Sequence, residues 1–273
     1  MEHIHFIGIG GTGLSAIAKV LLEQGVRVSG SDLLDSPLFE AVKEAGGSVI
    51  LGHRAENISG ADLVVRSSAV PDSNPEVQAA RQAGIPVLKR SEFLGRLTAG
   101  KSVVAVAGSH GKTTTTSMLA WILSSLNLDP SFIVGGVVAN LGTNARAGKG
   151  ELFVIEADEY DYMFLGLHPQ LAVITNIEHD HPDIFPTPDS FEAAFQEFLG
   201  NLQPDGTLIA CAESPAAVRL GAELRKGQTL VTYGIEDSTC DIRAESLCVN
   251  LGGGMDFQLI FQGGERQERH AVT

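Results

Sequence analysis

VVAVAGSHGKTTTT, residues 103–116, is the stretch around which the rest of the chain is read. Small and β-branched residues from Val103 to Ala107 run straight into Gly108-Ser109-His110-Gly111-Lys112-Thr113, and apolar residues at helical spacing follow (Met118, Leu119, Ile122, Leu123, Leu126). The order is strand, glycine loop, helix, which turns backbone N–H groups and a positive helix end toward a phosphate. In that setting Lys112 reaches the outer phosphates and the Thr113 hydroxyl holds a magnesium ion. The longer phosphate-loop pattern has a glycine where this chain has Val106, so the match is to a shorter G-x-x-G-K-T. The competing reading is an ordinary strand-to-helix turn with a surface lysine; the flanking strand and helix favour nucleotide phosphate.

A chain of 273 residues has room for two domains with separate cores. Hydrophobic residues at 44% and charged residues at 19% describe a folded soluble chain rather than a disordered one. Nineteen basic against 33 acidic side chains leave a net charge of −14, which disfavours nucleic acid as a partner. The three cysteines, Cys211, Cys240 and Cys248, have neither C-x-x-C spacing nor an even count, and are expected to be reduced and buried. MEHIHFIGIG at the start has no basic segment followed by a long apolar core, and no apolar run approaches a membrane span, so a cytoplasmic protein with no membrane partner is expected.

Upstream, a strand over His5–Ile9 opens into Gly8-Ile9-Gly10-Gly11-Thr12-Gly13, a complete G-x-G-x-x-G, followed by a helix with Leu14, Ile17, Ala18, Leu21 and Leu22 on one face. Gly25 ends that helix, and a second strand finishes at Ser31-Asp32, where a dinucleotide fold hydrogen-bonds a ribose. A nicotinamide or flavin cofactor and some other diphosphate nucleotide remain equal readings of this loop. Helices over 36–45 and 74–83 alternate with strands over 49–51, 62–68 and 87–88. Ser67-Ser68-Ala69-Val70-Pro71 is either a ligand-contacting strand end or a simple turn. The domain boundary is set at Ala99-Gly100-Lys101, giving 1–99 and 100–273. The fold class is therefore α/β, a Rossmann-like parallel-sheet domain followed by a phosphate-loop α/β domain.

Downstream, residues 135–145 (GGVVANLGTNA) are too rich in glycine and asparagine for core, and read as a surface loop or a substrate-lining loop. Leu152–Ile155 is a strand ending in Glu156-Ala157-Asp158-Glu159, and a carboxylate at such a strand end is the usual magnesium ligand. Glu156 is the first candidate, Asp158 is a second, and Glu159 and Asp161 are expected to be solvated. The strand over 171–175 ends in Asn176-Ile177-Glu178-His179-Asp180-His181-Pro182-Asp183, open to zinc, magnesium or a plain polar loop; the oxygen-rich surroundings favour magnesium or phosphate. A cation there would relieve repulsion among the acids. Phe191, Ala194, Phe195, Phe198 and Leu199 form a core helix face, strands follow at 207–211 and 230–233 around a helix near 216–224, and 246–250 with 255–261 form a hairpin. Gln267–Thr273 shows no helix or tail signal.

Several of these segments together resemble the Mur ligases of peptidoglycan synthesis: GIGGTGLSAIA (8–18), VSGSD (28–32), GHRAENI (52–58), RSSAVP (66–71), AGSHGKTTTTSMLA (107–120), GGVVANLGTNA (135–145), EADEYD (156–161) and TNIEHDHPD (175–183). The resemblance implies an ATP-dependent ligase, most like the branch that joins L-alanine to UDP-N-acetylmuramate, with magnesium required. It implies that Gly10, Gly11, Thr12, Gly13, Leu14 and Ser15 face the UDP diphosphate, and that Asp32, His53, Ser67 and Ser68 contact the uridine or lie beside it. Asn140, Thr143 and Asn144 would belong to the substrate side. It assigns ATP to Gly108, Ser109, His110, Gly111, Lys112, Thr113, Thr114 and Asn176. Thr113, Glu156 and His181 would stand near magnesium, and Lys112, Glu156 and His181 would carry catalysis. In the implied reaction the substrate carboxylate attacks the γ-phosphate to give an acyl phosphate, which the amine of alanine then displaces, with positioning and charge neutralisation supplying the acceleration.

Tyr160 departs from the serine common in that family, and the chain ends before the family's later central helices and C-terminal domain. These 273 residues are therefore expected to bind the UDP ligand, to bind ATP weakly and not to turn over. Alternatives are a related ligase that attaches a whole peptide to the same UDP-sugar, a dehydrogenase using the first loop for NAD, and a non-catalytic nucleotide-binding module.

Overall fold

A computed structural model describes residues 2–262 and 268–272. The chain begins with β1 (His3–Ile7), α1 (Thr12–Glu23), β2 (Arg27–Asp32), α2 (Pro37–Glu44), β3 (Ser48–Leu51), β4 (Leu63–Arg66), α3 (Pro75–Gln82), β5 (Val87–Lys89) and α4 (Arg90–Leu97). It continues with β6 (Ser102–Ala107), α5 (Lys112–Ser125), β7 (Ser131–Val138), β8 (Thr143–Arg146), β9 (Leu152–Glu156), β10 (Leu171–Ile174), α6 (Pro188–Gly200), β11 (Thr207–Cys211), α7 (Pro215–Gly221) and β12 (Thr229–Gly234). β13 (Ile242–Val249), β14 (Met255–Phe261) and β15 (Glu268–Val272) complete it. Packing divides the chain into two compact units, Met1–Val103 with Thr113–His168, and Val104–Lys112 with Pro169–Thr273.

In the first unit a five-stranded parallel sheet has the order β3-β2-β1-β4-β5. The order reverses between β1 and β4, the position at which open parallel sheets bind ligands beyond the carboxyl ends of their strands. β1 is buried along its whole length, which is why it reads as a continuous apolar run interrupted only by His3 and His5. α1 buries Leu14, Ile17, Val20 and Leu21 and unwinds at Gly25, whose φ of 81° is left-handed. Ser36 and Asn74 accept hydrogen bonds from the first free N–H groups of α2 and α3, each followed by a proline that fits the first helical turn. The same unit contains a second strand set, with β7 parallel to β9 and antiparallel to β8.

The second unit is built on strands in the order β6-β10-β11-β12-β13-β14-β15, parallel from β6 through β13 and antiparallel thereafter. α6 starts from a Thr187 cap with Pro188 in its first turn. It drives Phe191, Phe195 and Phe198 into the core, where Phe185, Phe191 and Phe195 meet edge to face with centroids 5.1 Å apart at each step.

Elements expected between residues 5 and 88 are present, with ends displaced by a residue or two. Residues 135–145 depart from expectation. Instead of a loop they supply most of the β7–β8 hairpin, with Val138 opposite Thr143 and a register shift after Ile133. Gly135 and Gly136 fall within that register shift, and a side chain at Gly135 would sit 2.9 Å from the Glu156 carboxylate. Glu159 is buried, not solvated. Of the cysteines only Cys240 is buried, Cys211 being half-buried and Cys248 exposed; all three are unbridged. α5 packs through Thr116 and Ala120, leaving Met118, Ile122 and Leu126 of its apolar pattern outward. α4 has no counterpart in the sequence reading. Glu268–Val272 pairs with β14 as an edge strand where no element was expected, and Gln267 and Thr273 lie outside the described residues.

Candidate functional site

At the switch point, Gly8 leaves β1 with φ 86° and donates its N–H to Ser31 O at 2.8 Å. Gly10 N–H donates to Asp32 Oδ2 at 2.8 Å, and Leu34 N–H to Asp32 Oδ1 at 3.2 Å. A Cβ on Gly10 would lie 3.0 Å from both Asp32 Oδ2 and Ser36 Oγ. Asp32 therefore shapes the first glycine loop directly, a use of the carboxylate beyond waiting for a ribose. Gly10, Gly11, Asp32, Ser36, His53 and Ser67 line one open cleft. Ser68 is exposed and does not line it. Leu14 and Ser15 are buried, with Ser15 Oγ donating to Thr12 O at 3.1 Å, so their side chains support α1 rather than line the cleft.

Behind His53 lies a buried polar chain. Glu76 is fully buried and accepts from Ser31 Oγ at 2.6 Å, Asn57 Nδ2 at 2.6 Å and Arg54 N–H at 3.1 Å, with His5 Nε2 at 3.2 Å. Ser31 Oγ is also 2.9 Å from His53 Nδ1. Burial pushes the Glu76 carboxyl up, but the hydrogen bonds from His5, Ser31 and Asn57 outweigh it and hold the group below its ordinary value.

A second cleft of this unit is lined by Thr12, Gly13, Arg90, Gly135, Glu156 and Asp158, among others. Arg90 heads α4 and lies so close to Gly13 that a Cβ there would overlap its guanidinium, 1.9 Å from Nη1. Its one ion pair among the described residues is a long one, 3.7 Å to Asp158 Oδ2. Burial lowers its pKa, and Asp158 and Asp161 oppose the shift. At the rim, Thr113 Oγ1 donates to Glu156 Oε1 at 2.9 Å and Gly135 N–H to Glu156 Oε2 at 2.7 Å. A hydroxyl and a carboxylate oxygen so placed are the hard donor set that magnesium takes, and they fit that ion. Thr114 and Asn140 share a neighbouring surface cleft with Thr113. Thr143 instead accepts from Lys19 Nζ at 2.8 Å, and Asn144 is buried, so the three residues of the expected substrate loop do not converge.

In the second unit the phosphate loop leaves β6 and is fastened to the end of β10. Ser109 N–H donates to Asn176 O at 3.1 Å, His110 N–H to Asn176 Oδ1 at 3.0 Å, and Thr175 Oγ1 to His110 O at 2.6 Å. Ser109 Oγ donates to Glu178 O at 2.6 Å and receives the Glu178 N–H at 2.8 Å. Asn176 thus acts from behind, fixing the loop. Lys112 Nζ folds back onto Gly108 O at 2.6 Å. The acids and histidines of 178–183 do not gather as a metal cluster: among the described residues no three His, Cys, Asp or Glu side chains are placed to hold an ion. Imidazoles and backbone N–H groups relieve the expected repulsion instead. Glu178 lies 3.6 Å from His110, and Asp180 accepts the His181 N–H, which with nearby positive groups lowers its pKa. His179 Nε2 bonds to Phe185 O at 2.7 Å, and His181 is held at a left-handed φ of 53°.

Gly108 has φ 134°, and a Cβ there would stand 2.1 Å from Thr175 Oγ1 and 2.9 Å from Asn176 O. Gly108→Ala should cost roughly 1–3 kcal/mol by tilting the loop off β10. Urea denaturation checks this, and an alanine variant with unchanged stability would contradict it.

Sequence reasoning passed over Arg90 and Glu76. A lone arginine after a three-residue strand carries no motif, and Glu76 in the first turn of α3 reads as a helix-start acid.

A model described as "Mur ligase family, catalytic domain" matches residues 3–102, and one described as "Mur ligase middle domain" matches 106–270. The chain is 45% identical over 266 residues, 97% of its length and 57% of the relative's, to the UDP-N-acetylmuramate--L-alanine ligase of Paenarthrobacter aurescens. A crystal structure of the UDP-N-acetylmuramate-alanine ligase MurC from Thermotoga maritima covers 100% of the chain, which spans 60% of it, with TM-score 0.81 and 27% identity. The UDP-N-acetylmuramate:L-alanyl-gamma-D-glutamyl-meso-diaminopimelate ligase from Neisseria meningitides gives 0.85 and 29%, covering 96% of the chain and 85% of that structure. The chain spans about half the length of the curated relatives it matches.

Proposed function

Because the chain belongs to the Mur ligase family, we propose that it carries the nucleotide-binding parts of an ATP-dependent ligase that joins L-alanine to UDP-N-acetylmuramate in the cytoplasm. The observation that carries the reading is the Thr113–Glu156–Gly135 corner at the start of α5, immediately after a lysine-bearing phosphate loop. A nicotinamide enzyme has no use for that corner.

Under this reading residues 1–99 hold the uridine nucleotide and 100–273 hold ATP. Gly10, Gly11, Thr12 and Gly13 offer backbone to the diphosphate, and His53 and Ser67 line the nucleoside side of the cleft. Ser109, Gly111, Lys112 and Thr114 bind the triphosphate, braced by Asn176. Thr113 and Glu156 would hold magnesium, which when bound neutralises phosphate charge. Lys112 would supply positive charge to the outer phosphates, and the substrate carboxylate would attack the γ-phosphate to form an acyl phosphate. Branch choice rests on sequence, since solved structures of both the alanine and the peptide ligases match this fold, whereas 45% identity falls on an alanine ligase.

Parallel calorimetric titrations with UDP-N-acetylmuramate, NAD and ATP-magnesium test the reading. Binding of the uridine nucleotide without NAD is expected; tight NAD binding with no uridine-nucleotide binding would overturn it.

A further inference from the structure

The hydrogen-bond chain behind the first cleft leaves His53 one tautomer. Glu76 Oε2 receives the single hydroxyl proton of Ser31 across 2.6 Å. The contact between Ser31 Oγ and His53 Nδ1, 2.9 Å, must then be made with the proton on nitrogen, because the Ser31 hydroxyl has no second hydrogen to give. The same Nδ1 lies 3.5 Å from Glu76 Oε1, which favours an N–H there as well. With Nδ1 carrying the proton, the Nε2 of the neutral ring is a bare acceptor. His53 lines the cleft beside Gly10 and Asp32, and its side chain is 13% exposed. Among the described residues Nε2 has no hydrogen-bond partner.

We propose that Ser31 and Glu76 are positioning residues that lock His53 as the Nδ1–H tautomer, so that Nε2 accepts a hydrogen bond from a donor group of the nucleoside in the cleft. This deepens the uridine-nucleotide reading and rests on it. Two groups of a uridine nucleotide carry the required chemistry, the imide N3–H of the base and a ribose hydroxyl. Phosphates do not, since they are acceptors.

Two measurements on the 273-residue chain test the inference. The first needs no ligand: long-range 15N–1H NMR of the histidine rings, with His53 assigned by His53→Phe, should show a protonated Nδ1 and an acceptor Nε2. Ser31→Ala should shift that ring toward a mixture of tautomers. A wild-type His53 with its proton on Nε2 would overturn the proposal, and this result does not depend on any variant folding. The second is calorimetry with UDP, 3-methyluridine diphosphate, and the 2′-deoxy and 3′-deoxy analogues of UDP. Loss of one neutral hydrogen bond should weaken binding about 5- to 10-fold for whichever analogue lacks the donor, and His53→Phe should weaken UDP by as much while binding that analogue no worse than wild type does. Equal binding of all four nucleotides by wild type would also refute it. Failure of wild type to bind UDP at all would instead sink the uridine-nucleotide reading, and with it the ligand half of the inference, while leaving the tautomer result to stand or fall alone.

Discussion

Lys112→Ala is expected to weaken ATP-magnesium binding by roughly 100- to 1,000-fold while UDP-N-acetylmuramate binding stays within about twofold. The magnitude follows from the loss of one or two charge-assisted hydrogen bonds to phosphate, each worth about 1.5–3 kcal/mol. The net charge of −14 gives a triphosphate no general attraction to this chain, so the local cation has to supply it. Lys112 Nζ rests on the Gly108 carbonyl at 2.6 Å and on Ser109 O at 3.4 Å, contacts that its own loop provides. Removing the side chain also takes a donor from the carbonyl of the buried Gly108, so fold stability should fall by about 0.5–1.5 kcal/mol. The cleft proposed for the uridine nucleotide is lined by Gly10, Asp32 and His53 in the other packing unit, which is why the two affinities are expected to separate. Isothermal titration with each ligand makes the comparison. Equal loss of both would mean that the two glycine loops do not serve separate ligands. Lys112→Arg should restore only part of the affinity, because a planar fork does not replace a compact ammonium in a short loop.

Local pattern made most of the architecture legible before any coordinates. β1 and β6 are apolar runs ending in glycine, α1 and α6 repeat apolar residues at helical spacing, and Pro37, Pro75 and Pro188 mark helix starts. What stayed hidden depends on partners distant in sequence. Gly135 and Gly136 read as loop because nothing local reveals that Glu156, some twenty positions on, fills the space a side chain would take. Arg90 is unremarkable in sequence and becomes visible only where Gly13 makes room for it. The acids of 178–183 looked like a cation site because a string of letters shows charge but not direction. In the structure His179 turns to Phe185 O, and the Glu178 N–H is taken by Ser109. Glu159 shows the same limit in reverse, an acid read as solvated that lies in the interior.

Glu76→Ala should cost about 3–5 kcal/mol of stability, the range for breaking a buried hydrogen-bonded charge by removing one partner. Four donors converge on this carboxylate, from His5, Ser31, Asn57 and the Arg54 backbone. Alanine would leave them facing one another without their acceptor. The pH dependence has a definite sign. The folded-state pKa of Glu76 lies below the ordinary carboxyl value despite burial, because the donors outweigh desolvation. Its contribution is therefore complete above about pH 5 and fades as pH falls through the lower folded value. Urea denaturation of wild type and Glu76→Ala at pH 7 should show the full difference, and the gap should narrow at pH 4 and below. A gap that widened on acidification would mean that Glu76 is protonated in the folded chain, and an unchanged midpoint at pH 7 would mean that the network adds nothing. A buried carboxylate held by four donors is an expensive arrangement where an apolar residue would pack as well, and stability alone gives no reason for it. Its other end is His53, at the cleft, so the same substitution should loosen the ring that the uridine nucleotide is proposed to meet, and UDP affinity should fall together with the urea midpoint.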